Sequence, residues 1–251
     1  MLIAMVAVVV AGAAIGVGIA SPNPSPATGG PAVAPSTEAP SAGTVVPDAV
    51  ATPAPTASAP QPDPDGTAHQ ALGILSGLES VSGYAPYDYD RDLFGQRWAD
   101  VDRNGCDTRN DVLGRDLLNP VFKAGTRDCK VLAGDLIDPY DGTATAFVSG
   151  QNTSVLVQID HVVALGWAWE HGAWEWTDEQ RTAFANDPEN LVAASQHTNQ
   201  SKSASGPSDW LPPEPTLRCA YVEQWVGVLG AYALGIDDPD REAARAVLET
   251  C

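Results

Sequence analysis

The sequence predicts an α+β domain built around a strand–loop–strand–helix unit, and three observations carry that expectation. Val155 to Ile159 is the best strand in the chain and runs directly into Asp160-His161. A second short strand, Asn190 to Ala194, is followed by a stretch, Gln196 to Ala204, that can form a helix. Between the strands, Thr177-Asp178-Glu179-Gln180 has the form of a capping box opening a helix to about Asn186, which Asp187-Pro188 then stops. The unit is therefore ββα with an inserted helix. An N-terminal region containing a hairpin and two C-terminal helices complete the architecture.

The remaining elements follow from spacing and turn chemistry. His69 to Leu78 forms a short helix, with Leu72, Leu75 and Leu78 near helical spacing. Tyr87 to Leu118 is aromatic, acidic and turn-rich. Its Asp100-x-Asp102-x-Asn104-Gly105 run lacks the Glu that a calcium loop needs, so tight turns with Asx-type bonds are expected. Asp107 or Thr108 caps a short helix after Cys106. Val131 to Val148 reads as a hairpin turned at Asp138-Pro139-Tyr140-Asp141-Gly142, with Ala144 to Val148 in its second arm. Val222, Trp225, Val226 and Leu229 place a helix over about Leu217 to Leu234, stopped by Gly235. A last helix runs from about Pro239 to Glu249. The Trp residues in these segments read as packing rather than base-stacking platforms.

Composition divides the chain into three parts. Residues 1–20 are almost wholly apolar and uncharged, and Gly18-Ile19-Ala20 has the small-x-small form of a signal-peptidase site. A cleaved signal peptide is the first expectation, and an N-terminal membrane anchor its competitor. Residues 21–66 hold 12 of the 21 prolines and no aromatic residue, as a disordered linker would. Residues 67–251 are long enough for one domain with a sizeable core. The expected product is a secreted or membrane-anchored extracytoplasmic monomer.

Cys106, Cys129, Cys219 and Cys251 lack zinc-knuckle spacing, and an even count in an exported chain makes disulfides the default. Three connectivities are possible. Cys106–Cys129 with Cys219–Cys251 is favoured, because each closes a short local loop.

The formal charge of −19 argues against tight, sequence-specific binding of a polyanion. Eight of the 13 basic residues nevertheless lie between 91 and 130, interleaved with acids. Loose, salt-sensitive engagement is the better expectation, with a metal ion adding local positive charge.

Asp160-His161, Asn190 and Asn199-x-x-Lys202 supply, in chain order, the parts needed to cut a phosphodiester with one metal ion. A carboxylate and a carboxamide oxygen can hold a hard divalent cation, and an imidazole can take a proton from water. With Asp-His, Asn-Leu and Asn-x-x-Lys, supported by Asn104-Gly105-Cys106-Asp107-Thr108-Arg109 and Trp210-Leu211-Pro212-Pro213, the chain resembles the HNH (ββα-metal) endonucleases. The resemblance is to the secreted bacterial group similar to the GmrSD C-terminal nuclease domain, and it covers most of 84–251.

That resemblance implies a divalent cation, most simply Mg²⁺ with Mn²⁺ or Ca²⁺ as alternatives, on Asp160 and Asn199. It implies His161 as general base, Asn190 fixing the His161 ring, and Lys202 meeting a phosphate oxygen. Arg109 is chosen as a second phosphate contact. The implied substrate is nucleic acid, DNA before RNA. Ala164 stands where many members have Pro, and His197 could replace or join Asn199 as a ligand. The competing functions are a catalytically silent envelope scaffold and an exported phosphodiesterase acting on other phosphodiesters.

Overall fold

The computed structural model describes residues 66–251, and the expected leader or anchor and nearly all of the expected linker lie outside the described residues. No helix among the described residues is long and apolar enough to cross a membrane. Among the described residues the elements are seven α-helices and five strands in two antiparallel sheets, an α+β arrangement as the pattern predicts.

Helix α1 (Thr67–Gly77) packs on α6 (Arg218–Tyr232) and α7 (Asp238–Leu248). The predicted apolar stripe of α6 is buried: Val222, Trp225, Val226 and Leu229 are each essentially inaccessible. Asp237 caps α7 by accepting from Asp240 N, with Pro239 in the first turn. The stop of α6 differs from the expected one. Ala233, not Gly235, takes the left-handed conformation (φ +50°), and Leu234 N donates to Leu229 O. Gly235 instead permits a close approach, since a Cβ there would stand 2.4 Å from the Val81 side chain.

Strands β1 (Leu118–Phe122), β2 (Val131–Ile137) and β3 (Ala144–Val148) form an antiparallel meander. The hairpin β2–β3 sits where turn chemistry placed it. Strand β1 was not expected, because Pro120 and the positive φ of Asn119 interrupt any strand pattern. It survives as an irregular edge strand, where a missing N–H costs least.

The second sheet pairs β4 (Val157–His161) with β5 (Leu191–Ser195), His161 opposite Leu191 and Val157 opposite Ser195. The strand begins two residues later than expected. Val155 and Leu156 lie in a 3-10 turn and are exposed. Their would-be partners are gone, because Ser195 already caps the next helix, α5 (Gln196–Lys202). Asn190 likewise ends a 3-10 turn rather than opening β5.

Between the strands lie α3 (Leu165–Glu170) and α4 (Asp178–Ala185), and the Thr177–Gln180 capping box is fully formed. Helix α2 (Thr108–Asp116), capped by Asp107, packs against β5. Ahead of it, Asn104 N donates to Asp102 Oδ1 and Cys106 N to Asn104 Oδ1, the Asx turns expected. Cys106 is joined to Cys129 and Cys219 to Cys251, the two favoured pairings. Loops of this length stabilise by about 3–4 kcal/mol each on a chain-entropy view.

The apolar interior has two parts. One gathers the helices around Trp167, Trp169, Phe184 and Trp225. The other lies between the two sheets and α2, with Val131, Leu136, Phe147, Val157, Ile159 and Leu191. The end of β4 runs between them, so a short rigid strand delivers Asp160 and His161 to a fixed place.

Candidate active site

Successive residues of a strand face opposite ways, so Asp160 and His161 leave β4 toward different neighbours. Asp160 is 5% exposed. Its Oδ2 accepts from Tyr140 Oη (2.6 Å), and Lys202 Nζ lies 3.1 Å from Oδ2 and 3.2 Å from Oδ1. Burial pushes the Asp160 carboxyl up from its ordinary pKa, while Lys202 and Tyr140 pull it back.

His161 Nε2 is 2.9 Å from Ala185 O at the end of α4. A carbonyl can only accept, so Nε2 carries the hydrogen and Nδ1 keeps its lone pair. Trp98 stacks on the ring at 6.4 Å between centroids. The loop carrying Trp98 is fixed by fully buried Asn186, whose Oδ1 accepts from Ala99 N. Burial lowers the His161 pKa to about 4, with Arg91 and Lys202 acting in the same direction and the Ala185 bond opposing. The ring is thus neutral at ordinary pH, as a proton acceptor must be.

Asp160, His161 and Asn199 line one cleft of about 340 Å³, together with Tyr89, Arg91, Leu165, Ser203 and neighbouring small residues. Asn199 sits on α5 and donates from Nδ2 to Gln158 Oε1 (2.7 Å). That bond fixes the amide with Oδ1 free to accept or ligate.

The orientation of α5 has an identifiable cause in the hairpin turn. Buried Asp138 accepts from Ser195 N and Thr198 Oγ1 at the start of α5, and from Tyr140 N and Asp141 N in its own turn. Tyr140 then spans to Asp160, wedged edge-on against Trp210 and Tyr221. Trp210 closes this corner by donating from Nε1 to Ser201 Oγ. The Asp138–Tyr140 segment was read as a turn alone. Its side chains build the floor beneath Asp160, and nothing in local spacing could have revealed the long-range partners.

Three of the expected residues make other contacts in the structure. Lys202 is fully buried, held by Asp160 and by His161 O (2.7 Å), so it has no surface to offer a phosphate. Arg109 donates to Ser154 O and Val157 O and braces the start of β4; it does not line the cleft. Asn190 does not touch the His161 ring. It clamps the chain just beyond it, accepting from Val163 N and donating to Val163 O, while Val162 N donates to Asn190 O. His197, weighed as an alternative ligand, is exposed and outside the cleft lining.

Arg91 is the basic group that sequence reasoning passed over. It follows Asp90, the cap of a 3-10 turn, Arg91–Phe94, whose Phe94 anchors it in the core. Arg91 Nη1 is buried with no hydrogen-bond partner among the described residues. Desolvation lowers its pKa, with Tyr89 and Asp92 only partly opposing. The signal in the sequence was its place at the head of the basic 91–130 stretch.

Comparisons with known proteins place the chain in a family. Residues 107–241 match the family described as GmrSD restriction endonucleases, C-terminal domain. An uncharacterized secreted protein of Arthroderma benhamiae is 37% identical over 205 residues, spanning 80% of this chain and 93% of the relative. No solved structure matches the chain. The match from α2 through the start of α7 takes in the whole ββα unit and the cleft residues Asp160, His161 and Asn199, with Tyr89 and Arg91 preceding it, and the chain belongs to the GmrSD restriction endonuclease C-terminal domain family.

Proposed function

We propose that the chain is a secreted, metal-dependent HNH-type endonuclease that hydrolyses nucleic-acid phosphodiesters, DNA above RNA, with little sequence specificity. The observation that carries this reading is the neutral imidazole of His161, held by a hydrogen bond from Nε2 with Nδ1 free, in the same cleft as Asp160 and Asn199. Family membership supports nuclease chemistry, and the relative's printed description supports secretion.

The donor set fits a hard divalent cation. Asp160 accepts from Tyr140 and Lys202, which leaves lone pairs on a carboxylate that offers about four acceptor sites. Asn199 Oδ1 makes no hydrogen bond among the described residues. Two oxygen ligands, with water and phosphate completing the shell, suit Mg²⁺ or Mn²⁺. Because Lys202 already offsets the Asp160 charge, affinity for the cation is expected to be weak. When bound, the cation supplies charge neutralisation at the scissile phosphate and the departing 3′-oxygen.

The chain's own residues do the rest. His161 Nδ1 takes a proton from the attacking water, and the Ala185 carbonyl steadies the resulting imidazolium through Nε2–H. Arg91, which lines the cleft, meets a phosphate oxygen with its guanidinium, the role expected of Lys202 and Arg109. Asn190 positions the backbone that follows His161 and touches no substrate.

Supercoiled plasmid incubated with the protein and Mg²⁺ should be nicked and then linearised, and EDTA should stop it. A folded protein that leaves plasmid intact with Mg²⁺, Mn²⁺ and Ca²⁺ alike would favour the scaffold reading. Cleavage of simple phosphodiesters that DNA fails to compete would favour the non-nucleic-acid reading.

A further inference from the structure

On the far end of α3 from the cleft, a second set of side chains converges. His171 follows α3 directly and is 3% exposed, its ring stacked on Trp167 at 3.6 Å. Its Nδ1 is 2.7 Å from Trp167 O, so Nδ1 carries a hydrogen and Nε2 is the ring atom left to ligate a cation. That Nε2 is buried and has no hydrogen-bond partner among the described residues. It faces Asp237 Oδ2 at 3.5 Å.

The two carboxylates around it are equally well prepared. Asp237 uses Oδ1 to cap α7, which leaves Oδ2 directed at the imidazole. Asp240 is 3% exposed, and its orientation is set by Trp167 Nε1 (2.7 Å) and Ser208 N (2.8 Å). One ligand atom from each of His171, Asp237 and Asp240 lies within 4.8 Å of the others. Among the described residues neither carboxylate is paired with a Lys or Arg side chain.

Glycines stand on both sides. A Cβ at Gly83 would lie 3.2 Å from both His171 Nε2 and Asp237 Oδ2, and one at Gly206 would lie 2.1 Å from Asp240 Oδ2. His171 also lines an adjoining 420 Å³ cleft with Glu79, Glu170 and Glu175, and no basic side chain lines it. Cations therefore have an acidic approach to the cluster.

We propose that His171, Asp237 and Asp240 form a second metal site, distinct from the Asp160 cleft, for a borderline divalent transition ion of the zinc class. One imidazole and two carboxylates select such an ion over Ca²⁺ or Mg²⁺, which prefer all-oxygen shells. The outer contacts resemble those that metal ligands ordinarily have: Nδ1–H on a carbonyl and an indole N–H on a carboxylate. The ion fastens the end of α3 to the start of α7, and so acts as a structural clamp.

The test uses full-length protein stripped with EDTA and titrated with Co²⁺, reading visible d–d bands and the thermal midpoint. Wild type should gain a spectroscopically visible Co²⁺ and a midpoint rise of about 5–10 °C at roughly hundredfold excess over Kd. Asp237→Asn retains a capping side chain and should lose both responses. Equal responses in the two proteins, or none in wild type, overturn the site. Zinc-edge anomalous scattering from wild-type crystals needs no variant. A peak about 2.0–2.1 Å from His171 Nε2 supports the proposal; its absence there, or a peak only in the Asp160 cleft, refutes it.

Discussion

Lys202 Nζ lies 3.1 Å from Asp160 Oδ2, and the lysine is wholly buried with the aspartate 5% exposed. The pair ties α5 to the end of β4, and Lys202 adds a second tie through His161 O. A lysine at i+3 from Asn199 looks, in sequence, like a surface group reaching for phosphate. The fold turns it inward, where its charge holds β4 and α5 in register instead.

Removing one partner of such a pair strands the other in a dry interior. Lys202→Met should therefore destabilise the domain by about 3–5 kcal/mol. Chemical denaturation of wild type and variant gives the difference. Unchanged stability, with activity alone reduced, would return Lys202 to the substrate side.

The two arginines should separate cleanly. Arg91→Ala should cut plasmid cleavage at least tenfold with little change in thermal midpoint, since Nη1 makes no protein bond. Arg109→Ala strips donors from Ser154 O and Val157 O and should cost about 1–3 kcal/mol of stability. Parallel melting and nicking assays check both, and an inactive but fully stable Arg109→Ala would reverse the assignment.

Stability should depend on pH through His161. Burial holds its folded pKa near 4, below the ordinary 6.5, so between those values the unfolded chain binds more protons than the folded one. Stability contributed by the neutral ring is thus complete above about pH 6.5 and is lost as pH falls toward 4. Denaturation midpoints of wild type should fall more over that window than those of His161→Gln. Parallel curves for the two proteins would show that burial of the ring does not set its titration. Cleavage should likewise persist in mildly acidic buffer, because the base stays unprotonated to about pH 4.

Much of this arrangement was legible in the sequence, where the information is local. The Thr177–Gln180 capping box, the α6 stripe and the turn after Asp138 each depend on neighbours a few residues away, and each is found as read. Asp160, His161 and Asn199 could be grouped because strand–strand–helix order brings them to one cleft. What escaped was set by distant partners. Arg109 reaches 45 and 48 residues ahead to brace β4, Tyr140 reaches 20 residues to Asp160, and Arg91 enters the cleft from a turn-rich segment with no periodicity. The late start of β4 has the same origin, since only the position of Ser195 reveals where pairing must end.

The central claim divides the cleft into a water-activating imidazole and an oxygen site for the cation. The most direct measurement is the Mg²⁺ dependence of plasmid cleavage by wild type, His161→Ala and Asn199→Ala under one set of conditions. His161→Ala should lose about 10²–10⁴-fold at every Mg²⁺ concentration, because the missing group accepts a proton and holds no metal. Asn199→Ala should instead shift the curve to higher Mg²⁺ and recover much of its rate at saturation. Recovery of His161→Ala by added Mg²⁺, with Asn199→Ala indifferent to it, would contradict the account and make His161 the ligand.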